Sequence, residues 1–426
     1  MSNKSRWDDL SVELWVHILS HLYTPVTPLD PGVTWNQPAV QYCAKELSNM
    51  QYLRLVCRKF NTALDHHQFS RQLFLPESFQ NKSVPSLLRW VQRHRTTVEL
   101  LMVFAGTPML EAALSALCFQ ASQLHFVHVG HVSAGAVHIL SCHSGLQALE
   151  IESKADYMHV DLSPLAALPY LSNLVLAKGN FDCEETLLHL TTLRLSDAEI
   201  LFTDGCFCGS KLVKLNLCGS ILAGSGQGLA GCHNLRDAEL RMCYFDASDA
   251  ANRLCLLPVK VAHVPASLST LTQLTSLFIT LCGKSLAAMQ FLWLASLTSL
   301  QELGFHGSGK DVKLPAELTE LTRLERLWLT VYDEFGDLGH MKFQVTWHGM
   351  RALRSLSIGA GTYAFNSRLL QVVECGALEK VCFDDVKPDS AESAKFFAVL
   401  ISRLATNRPD VVCYLDQVHL SEIAIG

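Results

Sequence analysis

Leucines recur along this chain at spacings of two, three and four residues, with polar or small positions between them. The clearest stretch is LPAELTELTRLERLWL, residues 314–329, with leucine at Leu314, Leu318, Leu321, Leu324, Leu327 and Leu329. Its last part, Leu324-x-x-Leu327-x-Leu329, alternates apolar and variable positions, which predicts a short strand with its leucines on one face. The same register returns in VPASLSTLTQLTSLFI, residues 264–279, and less cleanly at Leu165, Leu168, Leu171, Leu174 and Leu176. Three copies of one spacing define a structural repeat. Each unit must bury its leucines against a neighbour.

The strand segment L-x-x-L-x-L is that of a leucine-rich repeat. After a weak first strand at Val98-x-x-Leu101-x-Val103, anchors follow at Leu124, Leu146, Leu171, Leu190, Leu212, Leu235, Leu254, Leu274, Leu300, Leu324, Leu353 and Leu378. Successive anchors are 19 to 29 residues apart, about 23 on average, within the range for this repeat. The Leu254 unit is the weak member, because Pro258 falls inside its strand and removes a ladder donor. The Asn or Cys position after each strand is poorly kept: Cys243 and Cys282 fit it, whereas Lys154, Ser220, Ser308 and Tyr332 do not. The expected fold is an α/β leucine-rich repeat solenoid, an irregular horseshoe of about twelve repeats, preceded by a small all-α domain.

Strand residues alternate in direction, so the position between the last two leucines of each unit should line the concave face. That column reads His128, Glu150, Val175, Arg194, Asn216, Glu239, Phe278, Gly304, Trp328, Ser357 and Cys382. The next one adds Glu152, Arg241, Thr280, His306, Thr330 and Asp384. Two large aromatics with arginines nearby are the residue types that anchor protein interfaces. Phe278, Trp328, Arg194, Arg241 and His306 are therefore the candidate partner site. The competing reading is that the aromatics only shield a lopsided repeat, and burial of both rings would select it.

The N-terminal region has a different period. Residues 10–22, LSVELWVHILSHL, predict a helix that is apolar nearly all round, capped by Ser11. A loop rich in Pro and Gly follows over 23–38, then a second helical pattern over 39–64 with the stripe Leu53, Val56, Cys57, Phe60 and Leu64. LSVELWVHILSHL followed by LSNMQYLRLVCRKFNTAL resembles an F-box over roughly residues 8–72, most specifically in the string from Leu53 to Phe60. Ser11 stands where that family usually has proline, and the Pro-rich loop lengthens the link between the helices. The resemblance implies docking on a Skp-type adaptor and, through it, a cullin–RING ubiquitin ligase. Adaptor contacts would then fall on Leu10, Leu14, Ile18, Leu19, Leu22, Leu53, Val56, Cys57 and Phe60. The alternative for these helices is a cap closing the first repeat.

The expected domain plan is an F-box-like domain over 1–72, a connecting helix or linker over 73–97, repeats over 98–388 and a C-terminal cap over 389–426. The connecting helix would centre on Leu87, Leu88, Trp90 and Val91. The cap would hold one helix, 389–405, with the stripe Phe397, Leu400, Ile401 and Leu404, and a short strand over 411–415.

Hydrophobic residues make up 49% of the chain and charged residues 17%, which argues against disorder, and at 426 residues it is too long for one ordinary core. A net charge of −6 without a basic block argues against phosphate-driven nucleic acid binding. The N-terminus has no apolar signal region, and no stretch is long and apolar enough to span a membrane, so no membrane role is expected. The 15 cysteines read as reduced thiols of a cytosolic or nuclear protein.

Three motifs imitate chemistry. Gly304 to Lys310 fits G-x-x-x-x-G-K, but Asp311 stands where magnesium needs a hydroxyl. The G-x-G-x-x-G at 226–231 follows its strand too late for a dinucleotide turn. Cys206-x-Cys208, Cys142-His143 and Cys232-His233 lack zinc spacing. The expectation is a non-enzyme without cofactor or metal. It would recruit a protein substrate to the ligase; the rival is a leucine-rich repeat scaffold with no ligase link.

Overall fold

The computed structural model describes residues 72–75, 93, 97–103, 111, 114–115, 124–130, 132–152, 159–202, 210–223, 229, 231–241, 244–246, 266–282, 291–308, 312–314, 316–332, 340–343, 347–415 and 418–419. The two N-terminal helical patterns, with all nine adaptor residues proposed above, lie outside these. The chain divides into two compact units, Met1–Leu190 and Thr191–Gly426.

In the first unit, Gln72–Leu75, Leu100–Val103, Phe126–Val129, Ala148–Glu152 and Asn173–Ala177 form consecutive parallel strands. The sheet therefore starts one strand earlier than the repeat pattern indicates. Gln72–Leu75 is a strand at the junction expected to open a connecting helix, and its run Leu73-Phe74-Leu75 shows no alternation from which to read it. Leu100 to Val103 are buried on both faces, the pattern of a fully covered parallel strand. The helix Ala134–Leu140 is capped by Ser133, whose hydroxyl accepts from the Ala136 amide at 3.1 Å.

The second unit continues the same plan through Thr192–Ser196, Lys214–Cys218, Asp237–Arg241, Ser276–Cys282, Glu302–Ser308, Arg326–Tyr332, Ser355–Ile358, Lys380–Phe383 and Val412–Leu415, all parallel. Val418–His419 turns back antiparallel on the last of these. Parallel neighbours with short connections, repeated with leucines inward, are the architecture of a leucine-rich repeat. The anchors Leu124, Leu146, Leu171, Leu190, Leu212, Leu235, Leu274, Leu300, Leu324, Leu353 and Leu378 are all buried. Burying each such side chain contributes about 1.5–3 kcal/mol.

Leu254, the weak anchor of the sequence pattern, lies outside the described residues. Asp237–Arg241 pairs directly with Ser276–Cys282, from Asp237 opposite Ser276 to Leu240 opposite Ile279, so no strand intervenes.

Among the described residues, the return segments of the second unit combine short parallel strands with helical turns, and the turns are of the 3-10 type, for instance Ala266–Thr270, Phe291–Ser296 and Ala316–Glu320. The Leu-x-x-Leu spacing explains them, since three residues per turn keep the leucines on one side. Leu271 donates its amide to Leu268 O, Leu274 to Leu271 O, and Leu324 to Leu321 O, each spanning three residues.

At the end of several strands the backbone turns through a left-handed residue, with φ 49° at Asp197, 60° at Gly219 and 49° at Asp385. Ser220, which departs from the Asn or Cys consensus, still serves it. Its buried hydroxyl donates to Cys218 O at 2.9 Å and accepts the Ala198 amide at 3.4 Å. A small hydroxyl thus satisfies the backbone groups that a strand end would leave unpaired.

The C-terminal region is a helix, Ala391–Asn407, followed by the strand Val412–Leu415. Leu400 and Leu404 are buried, and Phe397 stacks on Phe365 at 4.7 Å and meets Phe383 edge-on at 5.0 Å. Ser393 fastens the helix to the last repeats: its hydroxyl accepts the Phe365 amide and donates to Tyr363 O, both at 2.8 Å.

Candidate functional site

The strand pairings align side chains into rows across the second unit. One row runs Arg194, Asn216, Glu239, Phe278, Gly304, Trp328, Ser357, Cys382 and Tyr414. Its flanking leucines point into the core, so this row lies on the opposite, solvent side of the strands. The sequence-derived column has this order, because a fixed repeat register makes it readable without coordinates. Tyr414 extends it by one strand that the sequence pattern assigned only to the cap.

Phe278 and Trp328 come together although a strand lies between them. Their ring centroids are 5.2 Å apart with an interplanar angle of 33°. Gly304 makes this possible, since it stands in register with both and has no side chain. A Cβ placed there would lie 2.1 Å from Phe278 Cδ1. Both rings are partly exposed, so they are not simply core aromatics covering an uneven repeat. The pair contributes about 0.5–1.5 kcal/mol beyond the area it buries.

Polar contacts border the rings along the strand direction. On one side Ser276 donates to Glu302 Oε2 at 3.4 Å, and Glu302 pairs with Arg326. On the other, His306 lies in register with Thr280 and Thr330, and its Nδ1 meets the Thr330 hydroxyl. These contacts fix the groups around the aromatic pair. The result is an amphipathic patch, two aromatic rings bordered by polar and charged groups.

Of the five candidate residues, Phe278, Trp328 and His306 fall into one patch. Arg194 does not join it: Asn216 and Glu239 occupy the two intervening strands, with Asn216 Nδ2 donating to Glu239 Oε2. Arg241 ends the Glu239 strand, its backbone opposite Cys218. Glu302, Arg326 and Gly304 complete the patch and were not singled out from sequence. Only Gly304 left a signal there, as the smallest residue in a column between two aromatics.

In the first unit the corresponding row is Met102, His128, Glu150 and Val175. Met102 and His128 are buried, and His128 Nδ1 lies 3.3 Å from Glu150 Oε2. This end of the row is covered, contrary to the reading of His128 as a residue on an open face.

The glycine-rich stretch beginning at Gly304 is not a phosphate loop over its first five residues. Gly304 to Ser308 belong to a strand held between two parallel partners. Among the described residues there is no cluster of His, Cys, Asp and Glu with metal-ligand geometry. Cys206 and Cys208 lie outside them, as does most of the 226–231 glycine motif.

No protein-family model matches the chain, and no curated protein does. Among solved structures, it is similar to an internalin of Listeria monocytogenes, at 15% identity and a TM-score of 0.42, over 78% of this chain and 86% of that one. A leucine-rich repeat protein of Leptospira interrogans matches at 11% identity and a TM-score of 0.30, over 79% and 99%. A chain of the octameric complex of latrophilin 3, Unc5D and the leucine-rich repeats of FLRT2 matches at 15% identity and 0.39, over 75% and 83%. The repeat architecture of this chain is established by its own strand register and buried leucines.

Proposed function

We propose that this protein is a substrate-recognition subunit of a cullin–RING ubiquitin ligase, working in the cytosol or nucleus. Its N-terminal segment docks on a Skp-type adaptor, and the face bearing Phe278 and Trp328 holds a protein target. The chain binds and positions; ubiquitin transfer takes place on partner subunits. The observation carrying the ligase half is the apolar stripe Leu53, Val56, Cys57 and Phe60 beside that of residues 10–22. The target half is supported by the partly exposed aromatic pair, since aromatic side chains at a water-accessible face are the usual anchors of protein interfaces.

The test is capture of a purified Skp-type adaptor by the full-length chain, wild type against the double substitution Leu14→Asp/Val56→Asp. Wild-type binding lost in the double variant, with the repeats still folded by circular dichroism, is the expected result. No binding by the wild type would overturn the ligase half. The aromatic patch favours a second reading that survives this outcome, a protein-binding scaffold without a ligase link.

A further inference from the structure

We infer that the partner at the Phe278–Trp328 patch presents a basic segment, with an arginine side chain laid on the two rings. This rests on the reading of that patch as a partner-binding surface. The ring faces carry partial negative charge, and a planar guanidinium both stacks on them and is attracted to them. The pair is held at one angle by its seat over Gly304, so the platform exists before a partner arrives.

The same row gives an internal comparison. At Tyr414 the chain supplies its own cation, with Lys380 Nζ 5.2 Å from the ring centroid. Lys380 reaches it from the adjacent strand, opposite Val412 and so two residues before Tyr414. The equivalent neighbours of Phe278 and Trp328 are Asp237, opposite Ser276, and Glu302, opposite Arg326. Both are carboxylates. A third, Glu239, stands directly opposite Phe278, held by the Asn216 amide. Cations on these strands are Lys214, 3.9 Å from Asp237 and more than half exposed, Arg326 on Glu302, and Arg241 at the strand end. Where Tyr414 has a lysine, the platform has acids. An arginine from the partner would lie on the rings with these carboxylates at its edge, each already held by one intramolecular partner and each with further acceptor sites for a guanidinium.

The experiment measures binding of four fluorescein-labelled peptides, GSGXGSGXG with X as arginine, citrulline, norleucine or glutamate, to the full-length protein by anisotropy at fixed ionic strength. The arginine peptide should bind at least tenfold more tightly than the citrulline peptide, which keeps the planar shape without the charge. Trp328→Ala should weaken it at least fivefold, Glu239→Gln about threefold, and Trp328→Phe, which keeps a ring and guards against a folding defect, less than twofold. Equal binding of arginine and citrulline, or arginine binding indifferent to Trp328→Ala, overturns the inference. A norleucine or glutamate peptide that binds best and depends on Trp328 also overturns it but leaves the patch as a partner site. Absence of Trp328-dependent binding by all four peptides removes both.

Discussion

Replacing His143 by glutamine should flatten the acid side of the stability profile. The imidazole is buried, and burial pulls its pKa from 6.5 down to about 4, against an opposing backbone hydrogen bond at Leu114. Its folded pKa lies below the unfolded value, so the fold favours the neutral form. That contribution is complete above about pH 6.5 and is lost as pH falls towards 4. Urea midpoints at pH 7.5 and 4.5 should differ more for the wild type than for His143→Gln; an equal difference would rule out this account. Single residues were the hardest scale to read from sequence. Gly304 looked like the start of a nucleotide motif, and its actual role, leaving space for Phe278, depends on which side chains face it from the next strand. Ser220 looked like a lapse from the consensus, because hydrogen-bonding capacity rather than residue identity is what the turn requires.

Among elements, the C-terminal helix yields a sharp expectation. Ser393→Ala removes the hydroxyl that accepts from Phe365 N and donates to Tyr363 O; Tyr363 O keeps the Asp389 amide at 3.1 Å, so the buried Phe365 amide is the group that loses this acceptor. The cost should be about 1–3 kcal/mol in denaturant unfolding. Hydrogen exchange should also rise first in Ala391–Asn407, and a uniform rise across the second unit would contradict a local clasp. The sequence reading put this helix at 389–405 and the observed one is Ala391–Asn407, because Ser390 caps it and its 3.6-residue stripe is strong. Gln72–Leu75 was illegible for the opposite reason, as four residues without alternation carry no period. Between Asp237–Arg241 and Ser276–Cys282 the leucine interval alone could not show that the two strands pair directly, because a leucine at the right spacing is necessary for a repeat but does not supply a strand.

For the molecule as a whole, the buried thiols set the alkaline limit. Burial raises Cys183 and Cys413 from 9 to about 12 and Cys375 to about 11, the last opposed by nearby Arg408. Folded pKa values above the unfolded ones mean that this stabilisation is intact below pH 9 and lost as pH climbs towards 11 and 12. Unfolding midpoints should therefore fall above pH 9. Iodoacetamide at pH 8 should label exposed Cys142 in the native protein, and Cys183, Cys375 and Cys413 only in denaturant. Rapid native labelling of Cys183 would refute the buried assignment. At this scale the repeat plan and the order of the solvent-side row were legible, because both follow from one period. Which members of that row form a patch was not, because a column gives order but not contact: Asn216 bonds Glu239 between Arg194 and Phe278, whereas Gly304 lets Phe278 reach Trp328. The direct step from Asp237–Arg241 to Ser276–Cys282 has a further consequence. The connection there runs through residues 242–275, 34 residues, where residues 219–236, 18 residues, suffice between the preceding pair of strands. By loop-closure entropy the longer path costs only about 0.6 kcal/mol more. So weak a dependence on length means that an epitope or fluorescent domain spliced between Asp246 and Ala266 should leave both flanking strands in register.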